Sequence, residues 1–180
     1  MGLNKKTVLG LALIIMVITF VQINANKREN DLLNSAYENV KAGYGDFYIP
    51  SISIEPSTLE AIYGVSFEAV ESYFGESAMM STYPDVFIGV KAHKGKAKEI
   101  GEALNAYREH LLVRFKDSAS GLAKVNASRV FIYGNYVFYM VLGQPTDIMI
   151  TSEASAEHIL SAEASAAIGF EKLNSVFVGQ

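Results

Sequence analysis

The sequence predicts an α+β fold, a small antiparallel sheet packed against one long helix and preceded by an N-terminal transmembrane or signal helix. Three observations carry that expectation. A charge-free apolar run fills Val8 to Val21. Apolar residues recur at helical spacing from Ile100 to Phe115, and Gly134-Asn135 separates two strand-like runs by the two residues a tight hairpin needs. The rest of the 180-residue chain suits a single core. Half of the residues are hydrophobic and only 19% are charged, which excludes the disordered class.

Lys5 and Lys6 precede the apolar run and a mixed cluster (Lys27, Arg28, Glu29, Asp31) follows it, so the remainder of the chain is expected outside the cytoplasm. Residues 7–23 fall between the lengths of a signal peptide and a spanning helix. Ile23-Asn24-Ala25 offers a bulky residue where an A-x-A-like cleavage site needs a small one. A retained anchor in the lipid bilayer is therefore expected over a cleaved signal, with secretion after cleavage the alternative.

Four segments follow: an anchor or signal over 1–30, a short helix and extended connector over 31–57, an α+β domain over 58–144, and an Ala/Ser/Glu-rich helical tail over 145–180. Leu33, Ala36, Tyr37 and Val40 fall at helical spacing, and Gly43 and Gly45 are expected to end that helix. Pro50 and Pro56 around Ile52 and Ile54 read as an extended connector or edge strand. A turn of helix is expected at Thr58 to Tyr63, closed by Gly64, then a strand from Val70 to Phe74 with a bend or bulge at Gly75 to Ser77. Met79-Met80 reads as core filler. In the next strand Val86, Ile88, Val90 and Ala92 share one side, with Phe87, Gly89 and Lys91 on the other.

After the polar stretch His93 to Lys96, one face of a long helix carries Ile100, Leu104, Tyr107, Leu111 and Phe115. Its wet face places Lys98 and Glu102 for an i,i+4 ion pair. In the hairpin, pairing Tyr133 with Tyr136 sets Phe131 opposite Phe138, Arg129 opposite Met140, Ile132 opposite Val137 and Val130 opposite Tyr139. Both sides are largely apolar, so the hairpin lies in a sheet covered on both faces or displays aromatics to a partner. The candidate partner surface is Phe131, Tyr133, Tyr136, Phe138 and Met140, with core packing the competing reading. A last helix is expected over Ser152 to Ile168, with a thin face of Ala156, Ile159, Leu160 and Ala167, a stop at Gly169, and a loosely attached tail from Phe170 to Gln180.

The formal charge of −4 and the lack of basic runs interleaved with aromatics argue against nucleic acid as a partner. With no cysteine there is no disulfide, thiolate metal site or lipid-accepting thiol. His93 reads as a turn residue, His110 as a partly buried structural histidine, and His158 as too weakly accompanied, by Glu157, to hold zinc. No hydrolase elbow, phosphate loop or dinucleotide fingerprint occurs, so no catalytic residue, metal ligand or cofactor is expected. Glu68, Glu71 and Glu76 are the carboxylates available to a hydrolase, if two of them converge.

Ala61-Ile-Tyr-Gly-Val, Ser77-Ala-Met-Met-Ser, Val86-Phe-Ile-Gly-Val-Lys-Ala with its Lys-Gly turn, Tyr107-Arg108 and Tyr133-Gly-Asn-Tyr-Val-Phe, in that order from about Leu59 to Gly143, resemble a family of small bacterial domains of unknown function numbered 4358. The resemblance implies an extracytoplasmic α+β domain behind a lipoprotein signal or membrane anchor, and it supplies no catalytic residues. This chain departs from the pattern in lacking a lipid-accepting cysteine and in its extension beyond Pro145. The functional expectation is a membrane-anchored, non-enzymatic envelope module that binds a protein or wall-associated ligand. The alternatives are an envelope hydrolase using those carboxylates and a structural subunit of a membrane complex.

Overall fold

The computed structural model describes residues 32–143 and 156–178, together with the backbone but not the side chains of 157 and 158. The anchor expected over residues 7–23 lies outside the described residues. No described helix is long and apolar enough to cross a membrane.

Among the described residues five strands form one antiparallel sheet in the order β1-β2-β3-β5-β4. They are β1 (Ile52–Ser53), β2 (Val70–Ser77), β3 (Val86–Ala92), β4 (Arg129–Tyr133) and β5 (Tyr136–Val141). The helices are α1 (32–44), α2 (Pro56–Ala61), α3 (Ala97–Arg114), α4 (Ala119–Ala127) and α5 (Ala156–Phe177). Every residue of β3 and β5 is buried, which requires cover on both faces.

On one face Val86, Ile88 and Val90 of β3 and Val137, Tyr139 and Val141 of β5 pack against Ile100, Leu104 and Leu111 of α3. The i, i+4 and i+11 spacing of those α3 residues, one helical face, produces the contact, and Lys98 and Glu102 sit 3.5 Å apart on its wet side. The other face is aromatic: Phe87, Tyr136, Phe138 and Met140 pack against Leu33, Ala36, Val40 and Tyr44 of α1 and Leu173 of α5. The sheet thus has more than one covering helix, because the apolar residues that alternate away from α3 also need cover.

The hairpin register is as expected at all five pairs, from Tyr133 opposite Tyr136 to Arg129 opposite Met140. Gly134 takes a φ of 59° while Asn135 stays out of the left-handed region, the pattern of a II′ turn. Between β2 and β3 the irregularity falls at Val70/Ser72, rather than at Gly75 to Ser77. Gly75 stays within the ladder with Ile54 lying over it, where an added Cβ would come 3.0 Å from the Ile54 Cβ.

Two more expectations are corrected at the helix ends. α1 runs on through Gly43, which does not end it, and stops as expected before Gly45, whose φ of 52° opens a 3-10 turn at Gly45–Phe47. α5 does not stop at Gly169 but continues to Phe177, and the supposed loose tail supplies Leu173, fully buried, and Val176. At the crossing of α1 and α5 the Tyr44 hydroxyl accepts from Gly169 N at 3.1 Å and donates to Ser165 O at 2.9 Å. A Cβ at position 169 would lie 2.8 Å from that hydroxyl, so the glycine is required for close approach and not for chain reversal. The thin face expected of Ile159 and Leu160 is exposed, and Ala162 and Ala166 meet α4 at Ala123 and Ala127 instead.

Candidate functional site

At the outer margin of the sheet β1 is only two residues long and covers only the end of β2, pairing Ser53 with Glu76 and Ile52 with Ser77. The chain then turns off into α2, which Pro56 starts at its first turn. A groove with a volume of about 380 Å³ opens there, between Tyr37 of α1, Ser53 to Glu55 at the exit of β1, and Tyr73, Phe74 and Glu76 of β2.

The groove shares a wall with a polar cage. Glu76, with its side chain 19% exposed, accepts from the Tyr37 hydroxyl at 3.0 Å through Oε1 and from the Tyr48 hydroxyl at 2.9 Å through Oε2. Lys41, one helical turn beyond Tyr37, donates from Nζ to the Tyr37 hydroxyl at 2.6 Å and lies 3.9 Å from Glu76 Oε2. The same ammonium group stands 4.9 Å from the centroid of the Tyr37 ring and 5.2 Å from that of Tyr48. Burial, and then the neighbouring Glu76, hold the Tyr48 hydroxyl far above the usual tyrosine range. Tyr37 is raised by burial against the opposing pull of Lys41, and Lys41 is raised by its hydrogen bond to Tyr37. The tyrosines therefore stay protonated donors and Lys41 stays cationic at neutral pH.

The three carboxylates named from sequence do not share a cleft. Glu68 is exposed on the 3-10 turn Phe67–Ala69. Glu71, the extra residue in the β2 bulge, contacts Lys91 Nζ at 2.5 Å, whereas Glu76 is held by Tyr37 and Tyr48. Strand rise alone puts the Glu71 and Glu76 Cα atoms about 16 Å apart, far outside the separations of paired glycosidase carboxylates. Glu55, which sequence reading passed over, shares the groove with Glu76.

His93 sits exposed in the turn after β3, as expected. His110 is exposed instead of partly buried, and the side chains of Glu157 and His158 lie outside the described residues. Among the described residues no group of three or more His, Asp or Glu side chains can hold a metal ion.

The proposed partner stripe is interior. Tyr136, Phe138 and Met140 are buried against α1 and α5, and Phe131 and Tyr133 are partly buried against α5. Phe131 meets Phe170 with centroids 4.9 Å apart, Tyr133 stacks on Phe177 at 4.7 Å, and the Tyr133 hydroxyl donates to Asn174 Oδ1. Met79 and Met80, expected in the core, are 74% and 56% exposed, because the turn between β2 and β3 projects past the end of the sheet. Ala78 N donating to Asp85 O closes that turn, and Arg114 of α3 donates to Ser81 O within it at 2.9 Å.

A second charged feature lies on the side of the sheet where α4 packs. Lys124 Nζ lies 2.5 Å from Asp85 Oδ1, with the two side chains 5% and 0% exposed, and Asp85 Oδ2 has no hydrogen-bond partner among the described residues. Burial pushes the Asp85 carboxyl up against the opposing pull of Lys124, and burial pulls Lys124 down.

The profile of a family described as Domain of unknown function (DUF4358) matches residues 43–142. The chain belongs to that family. The match holds all five strands with α2, α3 and α4, while most of α1 and all of α5 lie beyond its two limits. No curated protein and no solved structure matches the chain. The cage is itself divided by the limit at residue 43, with Tyr48 and Glu76 inside the matched region and Tyr37 and Lys41 outside it.

Sequence reading missed Tyr37, Lys41 and Tyr48 as site residues. Their chemistry depends on Glu76, which is 39 residues away from Tyr37, and helical spacing marked Tyr37 only as part of an apolar face. The i,i+4 pair of Tyr37 and Lys41 is the one local signal that was available.

Proposed function

We propose that this chain is a single-pass membrane protein, anchored by residues 7–23, whose α+β domain lies outside the cytoplasm and binds an envelope or wall-associated ligand in the groove at the margin of β2. The observation that carries this reading is the groove itself, open to solvent and walled by Tyr37 and Glu76, which their mutual hydrogen bonds already hold in place. A preorganised concave site loses little freedom on binding. Separate partners for Glu71 and Glu76 favour recognition over acid–base cleavage. The uncharged run from Val8 to Val21 behind Lys5 and Lys6 supports the anchor and its orientation.

Two measurements on the full-length chain test it. A photo-crosslinking residue at Ser53, inside the groove, is expected to give an adduct in intact cells that the same residue at Lys98, on the wet side of α3, does not. Fractionation is expected to leave the chain in the membrane with its domain open to protease added from outside. Identical adducts from both positions would remove the groove as the binding site, and recovery of the intact chain from the cytosol would remove the anchor.

A further inference from the structure

Tyr37 and Glu76 line the groove and also contact Lys41. Two of the groove's lining residues are carboxylates, Glu55 and Glu76, three are aromatic, Tyr37, Tyr73 and Phe74, and none is cationic. A carboxylate beside aromatic ring faces favours a cation with an apolar stem, since the ring quadrupole and the carboxylate both attract positive charge. The chain shows this preference with its own side chain. Lys41 Nζ donates to the Tyr37 hydroxyl, lies 4.9 Å and 5.2 Å from the ring centroids of Tyr37 and Tyr48, and leaves its ion-pair contact to Glu76 long at 3.9 Å. That side chain is 43% exposed, so water screens the contact and competes for the ammonium group.

We propose that the cage of Tyr37, Tyr48 and Glu76 is a binding site for an alkylammonium group, occupied by Lys41 when the groove is empty and yielded to a ligand's ammonium group entering past Glu55. The inference rests on the groove being the ligand site and adds the class of ligand. Glu76 supplies the counter-charge, the Tyr37 ring a face, and Ile54 and Phe74 an apolar track for the stem. Anionic ligands meet two like charges and are excluded. A lysine side chain on a peptide and a free amine present the same chemistry, and the test separates them.

The full chain in detergent, with its tyrosine rings isotope-labelled, is titrated with n-butylammonium chloride, with a short peptide capped at its N-terminus and holding one lysine as its sole cation, and with that peptide acetylated on the lysine, each against sodium chloride at equal ionic strength. Saturable shifts of the Tyr37 and Tyr48 ring signals are expected with butylammonium. The peptide is expected to match them if lysine side chains are the source, and a response to butylammonium alone supports the site and assigns it to free amines. Lys41→Met vacates the cage and is expected to tighten butylammonium about tenfold. Glu55→Gln, at an exposed position outside the core, is expected to weaken it several-fold with the melting temperature unchanged. Shifts no larger than those of sodium chloride overturn the proposal. Peptide binding that survives acetylation also overturns it, yet leaves the groove as a ligand site, whereas loss of the Ser53-specific crosslink removes the reading beneath.

Discussion

The two faces of the sheet are built by different means. Beneath α3 the packing is mostly aliphatic, with Val86, Ile88, Val90, Val137 and Val141 under Ile100, Leu104 and Leu111, all inside the matched 43–142 region. On the opposite face the side chains are mostly aromatic, with Phe74, Phe87, Phe131, Tyr136 and Phe138 covered by α1 and α5, which come from opposite ends of the described chain. At the middle of β3, Gly89 leaves room on that face, and the rings of Phe74 and Phe138 fill the space a Cβ would need. One face is closed by a helix from within the family domain. The other depends on two flanking helices that meet through Tyr44 and Gly169. The family domain therefore presents an apolar aromatic face that this chain covers with its own flanks.

The largest expected effect comes from breaking the buried pair where α4 meets the start of β3. Asp85→Ala should cost about 3–5 kcal/mol in urea unfolding, because it strands the Lys124 ammonium inside. Replacing both partners, Asp85→Asn with Lys124→Met, should recover most of that loss, since no uncompensated charge remains. If the single variant costs under 1 kcal/mol, the pair is solvated and α4 is looser than its burial states.

Next are Leu104→Ala on the aliphatic side and Leu173→Ala on the aromatic side, both fully buried in the parent. Each should cost about 2–5 kcal/mol. Equal penalties, measured by the same denaturation, mean that α5 belongs to the core as fully as α3 does; a near-zero cost at Leu173 would make it an accessory.

Tyr44→Phe sharpens the comparison through pH. Burial pushes the Tyr44 hydroxyl from its ordinary 10.0 up to about 12. Between those values the folded chain keeps a proton that the unfolded chain has released, so the stability from this group falls as pH rises, by about 1.4 kcal/mol per unit. At pH 8 the variant should be about 1 kcal/mol less stable, for want of the hydrogen bonds to Ser165 and Gly169. Its deficit against the parent should shrink and then reverse by pH 12. The smallest effect belongs to the wet face of α3, where Lys98→Ala should cost only a few tenths of a kcal/mol through its exposed pair with Glu102.

What could be read from sequence divides along the same line. The α3 face follows from local periodicity: alternation in Val86 to Ala92, three- and four-residue spacing from Ile100 to Phe115, and a two-residue turn that sets the whole β4–β5 register. The aromatic face was legible only as a question, because apolar residues on both sides of the hairpin did not say what would cover the second side. Gly169 was read as a helix stop since glycine commonly ends helices, and only the approach of Tyr44, 125 residues earlier, explains its place inside α5. The groove was hidden for the same reason, its walls being Tyr37, Glu55 and Glu76 from three separate elements. Met79 and Met80 show the opposite failure, where apolar character did not mean burial.

The position of α5 in the chain has a consequence for how the protein is made. A polypeptide that leaves the ribosome or a translocation channel with its N-terminus first completes the sheet once Val141 is out, yet Tyr133 and the side of Phe138 that meets Phe177 stay uncovered until Phe177 follows. During that interval the nascent domain carries an unsheltered patch of phenylalanine and tyrosine, the kind of surface that holding chaperones protect. Shelter there is needed for a time set by synthesis or transport and not by the folding of the sheet.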